Sequence, residues 1–226
     1  MLEAKGMLQP LLAGPESMIW SEEQYFKTYP CVLSYLDEFK ELDAAKDFCS
    51  VRHYLSLHNQ SQGTYGNYRG YTERLLLWSW IYAQKSVLTL TRQDFAEFLE
   101  FNKCPSSDWV GNAPKPRFIN DNGNWNSNPD WRPIDVRSVQ SASYQPYNGA
   151  LRQLLSICSS FYNFLHREGL AAANPIVGAT PPQGRAFNRG QPPRNVISCQ
   201  LIEVIIRRLE QQALGSVRKP KKYDFL

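Results

Sequence analysis

The sequence predicts an all-α fold, in which four main helices form a bundle with a long irregular insertion and a detached C-terminal helix. Three observations carry this prediction. Apolar residues recur at steps of three and four in several segments, no two segments alternate convincingly as paired strands, and short connections separate most helical segments. Hydrophobic residues make up 42% of the 226 positions, which is enough apolar mass for a core.

The N-terminal region, residues 1–42, is predicted to be an arm followed by a short helix. Its first thirty residues contain glycines, prolines and scattered apolar residues without a sustained period, which favours a loosely ordered arm. The segment CVLSYLDEFKEL, residues 31–42, has the pattern of a short helix.

The main domain is predicted to span residues 43–175 and to begin with a helix over residues 43–60. Asp43 stands where a side-chain cap is needed. The apolar residues recur at helical spacing and are expected to face the core: Phe48, Val51 and Leu55.

A second helix is expected over residues 64–84, with the Thr64 hydroxyl as its N-terminal cap. Its apolar residues form one stripe at alternating steps of three and four: Tyr68, Tyr71, Leu75, Trp78 and Tyr82. We expect Arg69, Glu73 and Trp80 to lie away from that stripe, and Arg74 to lie at its border.

The third helix is predicted from a capping box formed by Thr91 and Asp94, with Phe95, Phe98 and Leu99 as its apolar face. Residues 104–142 then lose the helical period and are rich in Asn, Pro, Gly and Trp. A connection of this length is uncommon within a domain, so we interpret it as an irregular insertion. Its three tryptophans favour partial order, since leaving them in water would be costly.

The fourth helix is expected over residues 144–166, with a broad apolar face, and Asn174-Pro175 prevents its continuation. The following segment, residues 176–197, is predicted to be an extended basic linker because it is rich in proline, glycine and arginine. Residues 198–226 would begin another domain, with a helix over residues 198–213.

Charge is distributed unevenly along the chain. The net charge is −5 over residues 1–50 and +9 over residues 51–226, with +6 of the latter in residues 176–226. A basic body indicates a polyanionic partner. The alternative is that this basicity only keeps the protein soluble.

Membrane, secretory and metal-binding functions are not indicated by the sequence. The longest apolar run, residues 75–83, is too short to span a bilayer, and the N-terminus lacks the pattern of a secretory signal. We therefore expect a cytoplasmic protein with no membrane partner. The five cysteines are widely spaced, and no second pair complements Cys49 and His53, so we expect neither a metal nor a cofactor.

Three segments follow one another in this order of parts: GTYGNYRGYTERLLLWSW, LTLTRQDFAEFLEF and LRQLLSICSSFYNFLHREGLAAANP. Their sequence and order resemble the core-binding (SAM-like) domain of the tyrosine recombinases, the phage-integrase family. A further segment, RNVISCQLIEVIIRRLE, is similar to the first helix of that family's catalytic domain. The resemblance covers residues 43–213, apart from the insertion, which is unusual for the family.

The resemblance also implies what this chain does not do. In the family, arginines, a lysine, histidines and a tyrosine nucleophile surround one phosphate, where they neutralise charge and form a covalent link. This sequence has no His-x-x-Arg motif, and Tyr223 lacks the long preceding stretch that would build its site. We therefore expect a chain that is not an enzyme and that ends before the first catalytic arginine, with no catalytic residues.

The expected function is binding of double-stranded DNA, as the N-terminal portion of a recombinase that takes part in DNA integration and recombination of a mobile element. Other recombinase protomers on the same DNA are the further partners that the resemblance implies. The alternatives are a non-functional integrase remnant and a protein-interaction module. The expected DNA-binding residues are Thr64, Asn67, Arg69, Arg74, Gln145, Asn148, Arg152, Gln153, Arg185, Arg189 and Arg194.

Overall fold

A computed structural model describes residues 8–135, 146 and 148–177 of the chain. This part is mostly helical, which confirms the predicted all-α class. Its α-helices are α1 (Glu22–Thr28), α2 (Pro30–Glu38), α3 (Ala44–Ser56), α4 (Gln62–Trp78), α5 (Arg92–Lys103) and α6 (Asn148–Arg167). Helix α6 packs against α3, α4 and α5, and α4 also packs against α3. Among the described helices, none has the length and apolar character needed to cross a bilayer.

Residues 8–21 of the N-terminal arm are packed on the core, so the prediction of a loosely ordered arm is wrong for this part. Leu11 and Leu12 are fully buried in the core. A 3₁₀ turn follows at Pro15–Ile19, and Ser21 caps α1 by accepting a hydrogen bond from the Gln24 N–H at 3.1 Å. The arm is fixed by contacts with residues far away in the chain, which no local pattern reports.

Helices α2 and α3 correspond to the predicted segments 31–42 and 43–60, with α3 ending earlier than expected. The apolar face of α3 is confirmed, since Phe48, Val51 and Leu55 are buried. The expected cap is wrong in its mechanism. Asp43 occupies the N-cap position with a left-handed backbone (φ 55°), and its side chain makes no capping hydrogen bond.

Helix α4 begins at a different cap from the one predicted, because Ser61, rather than Thr64, accepts the first-turn N–H bond. It ends in a π-helical turn at Ser79–Ala83. Glu73 and Trp80, expected away from the core, are 1% and 0% exposed, whereas Tyr82 is 47% exposed. The single predicted stripe fails because α4 is covered on more than one side, by the N-terminal arm as well as by α3 and α6.

Helix α5 follows its sequence signature closely. The Thr91 side chain accepts a hydrogen bond from the Asp94 N–H at 3.3 Å, and Asp94 accepts one from the Thr91 N–H at 2.8 Å. Phe95 and Phe98 are buried as predicted. The reciprocal bonds satisfy free N–H groups at the helix start.

The insertion contains two small sheets, so the expectation that strands are absent needs correction. Strands β2 (Phe118–Asp121) and β3 (Asn124–Ser127) form an antiparallel hairpin, and β1 (Val110–Gly111) pairs in parallel with β4 (Ile134–Asp135). Asn122 and Gly123 have φ values of 51° and 93° in the hairpin turn. This Asn-Gly pair is a hairpin signal that the sequence interpretation missed.

The tryptophans anchor this insertion, as expected. Trp109 and Trp131 are buried, and Trp125 is half-buried against the core. Burial of these large rings holds a segment that has little regular structure of its own.

Helix α6 ends at Arg167, ahead of the predicted stop at Asn174-Pro175. Gly169 adopts a φ of 68°, and the Leu170 N–H donates to the Leu165 carbonyl at 2.8 Å. The Asn174 side-chain amide then donates back to Ser159 and Asn163 on α6. The predicted linker and C-terminal helix lie outside the described residues beyond position 177.

Candidate nucleic-acid interface

The two helices predicted to contact DNA lie side by side. Helices α4 and α6 pack directly together, and the Tyr71 hydroxyl donates a hydrogen bond to Gln153 Oε1 at 3.3 Å. Leu154 and Leu155 of α6 are buried at the core. The packing therefore fixes the spacing of any polar groups that these helices present to solvent.

Three of the predicted residues are exposed. Asn67 on α4 and Arg152 on α6 are solvent-exposed, and Thr64 is exposed in the first turn of α4. The Thr64 hydroxyl accepts a hydrogen bond from Ser61 Oγ at 2.8 Å. Gln153 is half-buried and shares its oxygen with Tyr71. The exposed groups can donate to phosphates or base edges.

Arg69 does not lie on an outer face, contrary to the prediction. Its Nη1 donates to the Ala13 carbonyl at 2.7 Å, and its guanidinium lies 5.3 Å from the centre of the Tyr65 ring. Burial, together with the nearby positive charge of Arg117, lowers the pKa of Arg69. The side chain holds the N-terminal arm onto α4.

Arg74 is likewise engaged inside the protein. Its Nη1 donates to Asn102 Oδ1 at 3.1 Å, and its Nη2 donates to the Pro133 carbonyl at 3.2 Å. The guanidinium also lies over the Tyr71 ring, 5.3 Å from its centre. Arg74 therefore connects α4 to α5 and to the insertion.

Of the remaining predicted DNA-binding residues, one lies among the residues that the structure describes. Asn148 is the first residue of α6. Four others lie outside the described residues: Gln145, Arg185, Arg189 and Arg194. The proposed contribution of the basic linker thus stays a prediction.

The sequence interpretation missed that Glu73 of α4 is a buried carboxylate. Glu73 Oε1 accepts hydrogen bonds from the Leu11 and Leu12 N–H groups, at 2.7 and 3.1 Å, and Oε2 pairs with Arg117 of the insertion. Tyr25 joins the same region through a bond from its hydroxyl to the Leu11 carbonyl at 2.7 Å. One side chain thereby links the arm, α4 and the insertion.

A second buried carboxylate, Asp47 of α3, joins α3 to the end of α4. It accepts hydrogen bonds from Trp80 Nε1 at 2.8 Å, from Ser86 Oγ at 2.6 Å and from the Val87 N–H at 3.0 Å. Burial raises the pKa of Asp47 to about 6, against the lowering effect of these donors. We assign a structural role to Asp47, because its three hydrogen-bond donors all belong to the fold itself.

Cys49 and His53, four residues apart on α3, have different surroundings. Burial, and then the neighbouring Glu22 side chain, raise the pKa of the Cys49 thiol to about 12. His53 stacks edge-on against Phe164 at 5.1 Å between ring centres. Within residues 8–135, 146 and 148–177, no group of three or more metal-ligating side chains converges.

No protein-family model matches the sequence, and neither curated proteins nor solved structures give a significant match.

Proposed function

We propose that this chain binds double-stranded DNA as a core-binding module similar to the N-terminal domain of tyrosine recombinases, with α3, α4, α5 and α6 in the place of that domain's four helices. The observation that carries the proposal is the direct packing of α4 on α6, with polar side chains exposed on both. In this arrangement a duplex would meet both helices at once.

The residues proposed to contact DNA are fewer than the sequence suggests. Arg152 is the strongest candidate, because it is exposed on α6 and carries a guanidinium that can bond guanine or phosphate. Asn67 and Thr64 add polar groups on α4. Arg69 and Arg74 are assigned to the fold instead, since both donate to internal carbonyl or amide oxygens.

The basic linker is proposed to contribute affinity without sequence preference. Residues 176–226 carry a net charge of +6, and Arg185, Arg189 and Arg194 are spaced along the linker. Arginines that meet phosphates release counterions, so they strengthen binding to any duplex and make it salt-dependent. The chain is proposed to bind DNA, alone or beside recombinase protomers in the cytoplasm, without cleaving it.

Fluorescence anisotropy with labelled duplexes over a salt series tests the proposal. Replacing Arg152 with alanine is expected to cost about 1–3 kcal/mol of binding free energy for preferred duplexes. Arg167→Ala is the matched control, because Arg167 is an exposed arginine at the other end of the same helix. Arg189→Ala should weaken all duplexes alike and lower the salt slope by about one ion.

Two results would overturn the proposal. The first is that the wild-type chain shows no salt-dependent binding to any duplex at micromolar concentration. The second is that Arg152→Ala and Arg167→Ala bind every duplex as tightly as wild type. A covalent protein–DNA adduct on a nicked suicide substrate would contradict the absence of cleavage.

A further inference from the structure

A cleft of about 840 Å³ lies between the N-terminal half of α4 and the insertion. We name it the α4 cleft. Its volume falls within the range of about 300–1,000 Å³ that is usual for small-molecule sites. Its lining includes Asn67 of α4 and, from the insertion, Lys115, Arg117, Trp125 and Arg132.

Three glycines of α4 leave the helix wall of the cleft bare. Gly63, Gly66 and Gly70 all line the cleft and are spaced three and four residues apart. A Cβ built on any of them would meet no atom within 4 Å, so no neighbouring side chain or backbone requires glycine there. Because glycine weakens a helix relative to alanine, its use where nothing packs is consistent with a ligand that approaches the backbone closely.

The charge of the cleft favours an anion. Among its described lining residues four are cationic and one, Asp135, is acidic. Lys115 is exposed and makes no hydrogen bond or ion pair within the described part of the chain. Arg132 is held at the cleft by bonds from its Nη1 to the Pro129 and Trp131 carbonyls, at 2.6 and 2.7 Å. The two side chains can thus present positive charge to a phosphate.

The remaining two lining cations are already engaged. Arg117 pairs with the buried Glu73 and lies over the Trp131 ring, 4.9 Å from its centre, while Arg69 donates to Ala13. Arg132 also donates to backbone carbonyls, but in the described contacts only through Nη1, so Lys115 and the other guanidinium nitrogens of Arg132 are the groups assigned to a ligand.

An aromatic ring and an amide complete the site. Trp125 is half-buried, lines the cleft and lies 6.0 Å from the Tyr29 ring, measured between ring centres. Flat heterocycles stack on such rings, and the exposed Asn67 amide can both donate to and accept from a base edge. Cations, an aromatic ring, an amide and a bare backbone wall together suit a flat base that carries a phosphate.

We propose that the α4 cleft binds a nucleotide, with its phosphate at Lys115 and Arg132 and its base against Trp125 and the glycine wall. The same chemistry is offered by a free nucleotide and by one residue of a single-stranded nucleic acid. The site goes beyond duplex binding by α4 and α6, and it stands or falls independently of that function.

Isothermal titration calorimetry of the full chain with ATP, adenosine and inorganic triphosphate tests each part of the site. ATP should bind, and adenosine should bind at least about tenfold more weakly because it lacks the charged hydrogen bonds to phosphate. Inorganic triphosphate should also bind more weakly than ATP, because it cannot stack. Equal binding of ATP and triphosphate, or no heat with ATP at millimolar concentration, would overturn the proposal.

Two variants locate the binding in the cleft. Lys115→Gln with Arg132→Gln should weaken ATP binding at least about tenfold, whereas Lys46→Gln, which removes an exposed lysine of α3 outside the cleft, should not. Gly66→Leu should block the cleft while keeping or raising the melting temperature, because leucine favours a helix and a Cβ at position 66 meets no atom within 4 Å. A folded Gly66→Leu protein that binds ATP like wild type would contradict the location.

A second titration distinguishes between a free nucleotide and a nucleotide of a single strand as the ligand of the α4 cleft. An eight-residue oligodeoxyadenylate is compared with ATP on wild type and on Gly66→Leu. Tighter binding of the oligonucleotide, lost in Gly66→Leu, assigns the cleft to single strands, and tighter binding of ATP assigns it to free nucleotides. Failure of both ligands sinks the proposal without bearing on duplex binding, which is measured separately through Arg152→Ala.

Discussion

The Glu73 carboxylate accepts a hydrogen bond from the Leu11 N–H at 2.7 Å, although 62 positions separate the two residues in sequence. Glu73 is 1% exposed, and its second oxygen pairs with Arg117. A buried carboxylate is stable only when its charge and its lone pairs are satisfied. Glu73 therefore helps to hold both the N-terminal arm and the insertion to α4.

Removing this carboxylate should strongly destabilise the protein. Glu73→Ala leaves the Arg117 charge and two buried N–H groups without their acceptor, so we expect a loss of about 3–5 kcal/mol in the free energy of unfolding. Urea denaturation followed by circular dichroism measures it. The control is Glu100→Ala, which breaks an exposed pair with Lys103 and should cost less than about 1 kcal/mol. Similar losses for the two variants would contradict the assigned role of Glu73.

The stability of the fold should depend on pH through Asp47. Burial raises the pKa of Asp47 to about 6 from its ordinary value of 3.8, so the folded state binds the proton more tightly than the unfolded chain does. The resulting stability is fully present below pH 4 and is lost as the pH rises through 6. Relative to Asp47→Asn, wild type should lose on the order of 3 kcal/mol between pH 4 and pH 7.

Thermal unfolding of both proteins across this pH range checks the prediction. The comparison with Asp47→Asn removes the contribution of other carboxyl groups, which titrate equally in the two proteins. A stability difference that stays constant, or that shifts in favour of wild type with rising pH, would show that the fold does not raise the pKa of Asp47.

The start of α4 should depend on Ser61 rather than on Thr64. Ser61 Oγ accepts the Thr64 N–H bond at 3.2 Å, so Ser61→Ala should cost about 1 kcal/mol of unfolding free energy. Thr64→Ala removes an exposed hydroxyl that makes no capping bond and should change stability by less than about 0.5 kcal/mol. Chemical denaturation of the two variants gives the comparison, and the reverse order would return the cap to Thr64.

Arg69 of α4 should contribute to the stability of the fold, whereas Arg152 of α6 should contribute little. Arg69→Ala loses a charged hydrogen bond to Ala13 and should cost about 1.5–3 kcal/mol of stability. Arg152→Ala removes an exposed side chain and should change stability by less than about 0.5 kcal/mol. Melting temperatures without DNA measure both effects. Equal melting temperatures would mean that the Arg69 contact contributes nothing to the fold.

Local signals in the sequence were sufficient for several elements. The capping box of Thr91 and Asp94, the buried face of α3 and the end of α6 before Asn174-Pro175 all follow from residues that are close together in the chain. The Asn122-Gly123 hairpin belongs to the same class, although it was missed in a segment that had been interpreted as irregular.

The candidate interface was predictable only in part, because some of its residues depend on contacts with distant segments. An exposed Arg152 follows from the amphipathic period of α6, because that helix has one broad apolar face. The positions of Arg69 and Arg74 do not follow from α4 alone. Their acceptors lie on Ala13, Asn102 and Pro133, which come from three other segments.

The sequence by itself determined the helical class, the main helices and their local caps, because these depend on neighbouring residues and on the helical period. Only the tertiary structure decided which polar side chains turn inward. Glu73 is buried because the Leu11, Leu12 and Arg117 donors reach it, and Asp47 is buried because Trp80, Ser86 and Val87 do. A charged or polar group leaves water when distant segments supply its hydrogen bonds, and no local pattern records that supply.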